Sequence, residues 1–114
     1  MKLALVGNGG HAREVMAQMG RRLTCFVDDK YVVDETKPLS EFDPTEFSLM
    51  IAVADSTDRF NIVQKLPNET KYFTWIHPTA MLMSNDIEIG EGSFIGAYSI
   101  LTTNIKIGNH AILN

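Results

Sequence analysis

Residues Val6–Glu14 read VGNGGHARE, and in them Gly7, Gly9 and Ala12 fit the pattern G-x-G-x-x-A. The cluster stands between an apolar run and an amphipathic one, where the free amides and the dipole of a starting helix converge on an anion. Asp28, after the next apolar run, is placed to accept a ribose hydroxyl, which would suit NAD. Gly10 and His11, however, replace the usual middle residues, and the segment supplies only one mononucleotide-binding half, so a full dinucleotide fits poorly. A second group, Asp55, Ser56 and Arg59, falls at the end of the third apolar run. There Ser56 suits a helix cap, and Arg59 a bidentate phosphate contact. The remaining candidates read as structural. His77 before Pro78 belongs to a junction, His110 follows IGN at an outward position, Met81 and Met83 read as packing residues, and Cys25 lies among apolar neighbours as a buried strand residue.

The elements that must position these groups alternate. KLALV reads as a buried strand, and Ala12, Val15, Met16 and Met19 recur at helical spacing until Gly20 stops the helix. LTCFVDD is the second strand and KYVVDETKPL a loop. DPTE, from Asp43 to Glu46, is a capped helical turn, and SLMIAVA is the third strand. A helix capped by Ser56 follows, with Phe60, Val63 and Leu66 inward, Ile62 beside them and Pro67 as its stop. YFTWI gives a fourth strand. Strands apolar on both faces and joined by helices imply a parallel sheet covered on both sides, so residues 1–76 are expected to form a Rossmann-like domain.

From residue 77 to 114 the pattern changes. Met83, Ile89, Ile95, Leu101, Ile107 and Leu113 recur every sixth position, with Gly90, Gly96 and Gly108 directly after isoleucines and Ser93, Ser99 and Ala111 four places after them. Neither a helix nor an amphipathic strand has that period. A β-helix does, each side of a triangular coil taking about six residues. Ile105 stands where a small residue is preferred and LTTN lacks the glycine, so a distorted corner is expected there.

Composition narrows the function classes. The 114 residues carry a net charge of −4 with ten scattered Lys and Arg, which argues against a nucleic-acid partner. No apolar run approaches the length of a membrane span or a signal peptide, so a soluble, cytoplasmic protein is expected. The single cysteine excludes an intramolecular disulfide.

Taken in order, GNGGHA, VDD, IAVADSTDR, IHPTA and IGEGSFIGAYSILTTNIKIGNHAILN resemble the sialic acid O-acetyltransferase and nucleotide-sugar N-acetyltransferase family. The resemblance covers essentially the whole chain. It implies a small Rossmann-like parallel-sheet domain followed by the first coils of a left-handed parallel β-helix. The implied reaction moves an acetyl group from acetyl-CoA to a sugar amine, commonly of a UDP-linked amino sugar. It further implies that the backbone at Gly9, Gly10 and His11 holds the diphosphate with Arg13 nearby, that Asp28 and Asp29 contact the nucleoside, and that the full-length protein is a homotrimer. A tight turn without ligand and solvated aspartates remain the alternatives at those positions. Amine attack needs a general base, which in the family is a histidine shortly after ILN, on the next side of the coil. This sequence stops at Asn114, the one matched residue expected beside the reacting groups. We therefore read it as the nucleotide-sugar domain and first coils of a longer enzyme, inactive alone, with most of the CoA site outside it. A non-catalytic nucleotide-sugar-binding module, a sugar O-acetyltransferase and a pyridine-nucleotide enzyme are the competing readings.

Overall fold

The computed structural model describes residues 1–114. Five strands, β1 (Lys2–Val6), β2 (Thr24–Val27), β3 (Thr36–Pro38), β4 (Phe47–Ile51) and β5 (Lys71–Tyr72), form an all-parallel sheet in the order β3-β2-β1-β4-β5. Two helices, α1 (Gly10–Met19) and α2 (Ser56–Lys65), cover it. Alternate residues of each strand supply two cores. Ala4, Val6, Phe26, Phe47, Leu49 and Ile51 pack with Ile62, Val63 and Leu66 on one face. Leu5, Cys25, Met50 and Ala52 pack with Ala12, Val15 and Met16 on the other. Burial on both faces explains why the central strands carry no polar alternation.

Local departures from the sequence reading have physical causes. The supposed loop after β2 contains a one-turn 3-10 helix, Asp29–Tyr31, and the edge strand β3, whose three residues end on a proline and carry no apolar alternation. DPTE makes the expected capped turn, with Asp43 Oδ1 accepting from Thr45 N at 2.9 Å and Asp43 O from Glu46 N at 3.0 Å, but the Glu46 side chain pairs with Lys2 instead of reaching back. The cap of α2 is Asp55, whose Oδ1 accepts from Asp58 N at 2.9 Å, and Ser56 is the first helical residue. Phe60 faces outward, 63% exposed. At about 100° per residue, the inward stripe of α2 runs Arg59, Ile62, Val63 and Leu66, and Phe60 falls outside it.

YFTWI is divided between two sheets. Tyr72 pairs with β4, and β6 (Trp75–Ile76) already belongs to a parallel β-helix. Its three sides are β6 with β9 (Phe94–Ile95) and β12 (Ile112–Leu113), β7 (Met81–Leu82) with β10 (Ile100–Leu101), and β8 (Glu88–Ile89) with β11 (Lys106–Ile107). Leu82 pairs with Leu101, nineteen residues on, whereas Ile89 pairs with Ile107, eighteen on. The first coil thus carries one extra residue, so Leu82 rather than Met83 occupies the repeat position, and Met83 is exposed.

The corners are regular. Gly92, Tyr98, Asn104 and His110, six residues apart, all have φ between 54° and 78°. Each amide is satisfied by the preceding coil: Gly92 N donates to Thr74 Oγ1, Tyr98 N to Thr79 Oγ1, Asn104 N to Asp86 Oδ1 and His110 N to Glu91 O. LTTN therefore causes no break, because Asn104 tolerates the left-handed conformation. Phe94, fully buried, carries the coil onto the α1 face of the sheet with Trp75 and Ile112.

Candidate nucleotide site

The strand order reverses between β1 and β4, and a cleft opens beyond the C-terminal ends of those strands, where open α/β sheets bind ligands. It measures about 820 Å³. Its apolar wall includes Val6, Val27, Val33, Leu39 and Ile62, and its polar groups are Asn8, Asp28, Tyr31, Asp58, Asn61 and Lys65. Asp58, Asn61 and Lys65 lie at i, i+3 and i+7 on one side of α2, a spacing visible in the sequence that the motif reading passed over.

The glycine turn divides its labour. Gly7, at φ +118°, lets β1 turn beside Ala52, and Ala12 is fully buried where α1 meets the sheet. Gly9 is the N-cap of α1 and has no side chain to bond the first-turn amides, which are left free for a ligand or water. Gly10 is the first helical residue, has no positive φ and faces open space, with Arg13 Nη2 at 4.0 Å from where its β-carbon would be. Arg13 itself is exposed and borders a shallow depression with Met16, Gly20 and Arg22.

The two aspartates separate. Asp28 lines the cleft, and its Oδ1 accepts from Lys30 N at 2.9 Å, fixing the 3-10 turn that carries Tyr31. Asp29 is absent from the cleft wall and faces an adjoining depression that Asp28 also borders, beside Ser40, whose amide donates to the Asp29 Oδ1 at 3.1 Å. Those Ser40 contacts hold its carboxyl below the ordinary value.

His11 lies at the junction with the β-helix rather than in the cleft wall. Its ring meets Phe94 edge-on at 5.5 Å, its Nε2 is buried without a partner, and burial lowers its pKa from 6.5, with Glu14 opposing and Arg59 reinforcing. His110 does the same from the coil side. It packs edge-on to Tyr72 at 4.4 Å, leaves Nδ1 buried and unpartnered, and is also shifted down by burial, with Glu91 opposing and Arg59 adding to it. Arg59 stands between them. Its Nη1 donates to Val53 O at 3.0 Å and Ala54 O at 2.8 Å, and its Nε to His110 O at 2.9 Å. Asp55 is committed to its capping bond, and Ser56 is exposed beside it. Asn114 sits against Gly96 at the far end of α1, with its Oδ1 3.4 Å from Gln18 Nε2. His77 accepts from Thr79 N at 3.0 Å and closes its own turn.

Residues 2–66, the stretch that builds the glycine turn, the cleft and α2, match the family described as the PglD N-terminal domain. The chain belongs to that family. Among solved structures it is similar to PerB from Caulobacter crescentus in complex with CoA and GDP-perosamine, at 25% identity and a TM-score of 0.77, over 100% of this chain and 60% of that one. It is also similar to the acetyltransferase domain of PglB from Neisseria gonorrhoeae FA1090, at 24% identity and a TM-score of 0.75, over 99% of this chain and 62% of that one. The same PglB domain in complex with acetyl coenzyme A matches at 25% identity and a TM-score of 0.74. This chain spans about three fifths of the length of those structures. No curated protein sequence matches it. The PglD-family assignment bears out the resemblance read from the motifs, and the fold is a Rossmann-like sheet domain leading into a left-handed parallel β-helix.

Proposed function

We propose that this chain is the nucleotide-sugar-binding part of an acetyl-CoA-dependent sugar N-acetyltransferase, acting on a UDP-linked amino sugar. The observation that carries this reading is the cleft at the sheet's switch point. It joins an apolar slot suited to a base with the Asp28 carboxylate suited to a ribose, and Gly7 and Asn8 on its wall lead directly into the uncapped α1 amides, which suit a diphosphate at its edge. Gly9, Gly10 and His11 would present backbone donors, with Arg13 beside Gly10. Asp29 would act through the loop it ties to Ser40. Uracil is proposed as the base on the motif resemblance.

In the reaction, the sugar amine must lose its proton, attack the thioester carbonyl of acetyl-CoA and expel CoA thiolate, while a donor stabilises the tetrahedral oxyanion. Asn114 is the residue of this chain proposed to lie nearest those groups, and acetyl-CoA is the co-substrate. The reading includes a homotrimer, supported by Met81, Met83, Tyr98 and Ile100, each more than half exposed around the β7–β10 side. It also includes a cytoplasmic setting, where acetyl-CoA is at hand. No helix is long and apolar enough to cross a membrane.

Calorimetry with UDP, GDP and NAD tests the site. Tighter binding of UDP than NAD is expected, and equal or reversed affinities would remove the assignment. GDP binding above UDP would move the base to guanine and leave the nucleotide-sugar reading in place.

A further inference from the structure

Arg59 occupies the inward stripe of α2, the helix whose Asp58, Asn61, Ile62 and Lys65 wall the cleft. Its guanidinium is half-buried and spends three of its five N–H donors, those on Nε and Nη1, on main-chain carbonyls. Two of them, Val53 O and Ala54 O, belong to the segment that leaves β4, and Val53 itself lines the cleft. The third, His110 O, belongs to the left-handed corner that leads into β12 and Asn114. The same corner is held by the Tyr72 ring from β5 and by the hydrogen bond that the His110 amide donates to Glu91 O.

A planar fork bonding three carbonyls fixes direction as well as distance, which an ammonium on a flexible stem does not. From this geometry we infer that Arg59 is a positioning residue that couples the nucleotide cleft to the coil corner preceding Asn114. Occupancy of the cleft then restrains that corner. The inference rests on the proposed nucleotide site but makes a separate claim. With Nε and both Nη1 hydrogens committed to carbonyls, only Nη2 remains for an anion, so the positioning role differs from the bidentate phosphate contact that its place after β4 suggests.

The test is hydrogen exchange followed by mass spectrometry on this chain, with and without UDP and, in parallel, GDP. In the wild type, nucleotide should slow exchange several-fold both around the cleft and across residues 108–113. In Arg59→Met, and more weakly in Arg59→Lys, nucleotide should still bind within a few-fold of wild-type affinity, with protection confined to the sheet domain. Arg59→Lys retains the charge and serves if Arg59→Met does not fold. Unchanged protection of residues 108–113 in both variants would overturn the coupling. So would loss of nucleotide binding in a folded Arg59→Met, which would make Arg59 a phosphate ligand. Failure of the wild type to bind either nucleotide would remove the site and the coupling together, and is told apart because it appears before any substitution.

Discussion

The α-carbon of Gly7 lies so close to Ala52 that a β-carbon there would stand 2.7 Å from the Ala52 carbonyl oxygen, at a backbone φ of +118°. That oxygen is main chain in the core and cannot swing aside. Gly7→Ala combines left-handed strain with a backbone clash and should cost at least about 2 kcal/mol. Gly10→Ala meets open space in a helix and should be neutral or stabilising by up to about 1 kcal/mol. Urea denaturation of both variants checks the contrast. A larger loss at Gly10 than at Gly7 would mean that the turn has been misread.

Ligand binding should separate the two aspartates. Asp28 borders the cleft, and Asp28→Asn removes a charged acceptor worth roughly 1.5–3 kcal/mol to a ribose hydroxyl, so UDP affinity should fall about tenfold or more. Asp29→Asn weakens only the tie to Ser40 and should change affinity by less. Calorimetry on the two variants decides, and a larger effect at Asp29 would transfer the nucleoside contact to the depression beside Ser40.

How much of this was legible varies with what each residue advertises. KLALV and SLMIAVA are buried on both faces, so their strands show as plain apolar runs, and the αL stop at Gly20 follows from its type. β3 was not legible, because a three-residue edge strand buries little and alternates nothing. YFTWI looked like one strand since apolar content does not say which sheet a residue joins. Counting by sixes back from Ile89 lands on Met83, and only the pairing of Leu82 with Leu101 reveals the extra residue. The glycine motif pointed to the correct end of the sheet. The cleft's α2 wall was hidden because Asp58, Asn61 and Lys65 are ordinary surface residue types until the fold gives them a common side.

The junction histidines predict an acid-sensitive stability. Both imidazoles have folded-state pKa values below 6.5, chiefly through burial. The unfolded chain therefore binds more protons between those values and 6.5, so stability falls as pH drops through that interval and is undiminished above it. Asp29, Asp43 and Asp86 are shifted down from 3.8, so their contribution is lost only at still lower pH. Urea midpoints at pH 7.5 and 5.5 should differ in the wild type, and the difference should shrink in His110→Asn, which keeps a residue tolerant of positive φ. An unchanged difference would place the titrating group elsewhere.

The six-residue recurrence of left-handed corners makes a prediction about backbone rather than side chains. Gly92 meets the requirement without cost, whereas Tyr98 adopts φ 61° with its ring 80% exposed, so little packing offsets the strain. Replacing Tyr98 by Ala keeps a β-carbon in the strained conformation, and replacing it by Gly removes it. Both variants lose the same ring, including whatever that ring contributes to contacts between chains, so comparing them isolates the corner. Tyr98→Gly should be more stable than Tyr98→Ala by about 1 kcal/mol, less the extra backbone freedom that glycine gives the unfolded chain. The difference should appear in urea midpoints measured at one protein concentration. Equal midpoints would mean that the corner at Tyr98 relaxes out of the left-handed region in solution. The regular spacing of Gly92, Tyr98, Asn104 and His110 would then not be a constraint that the coil imposes.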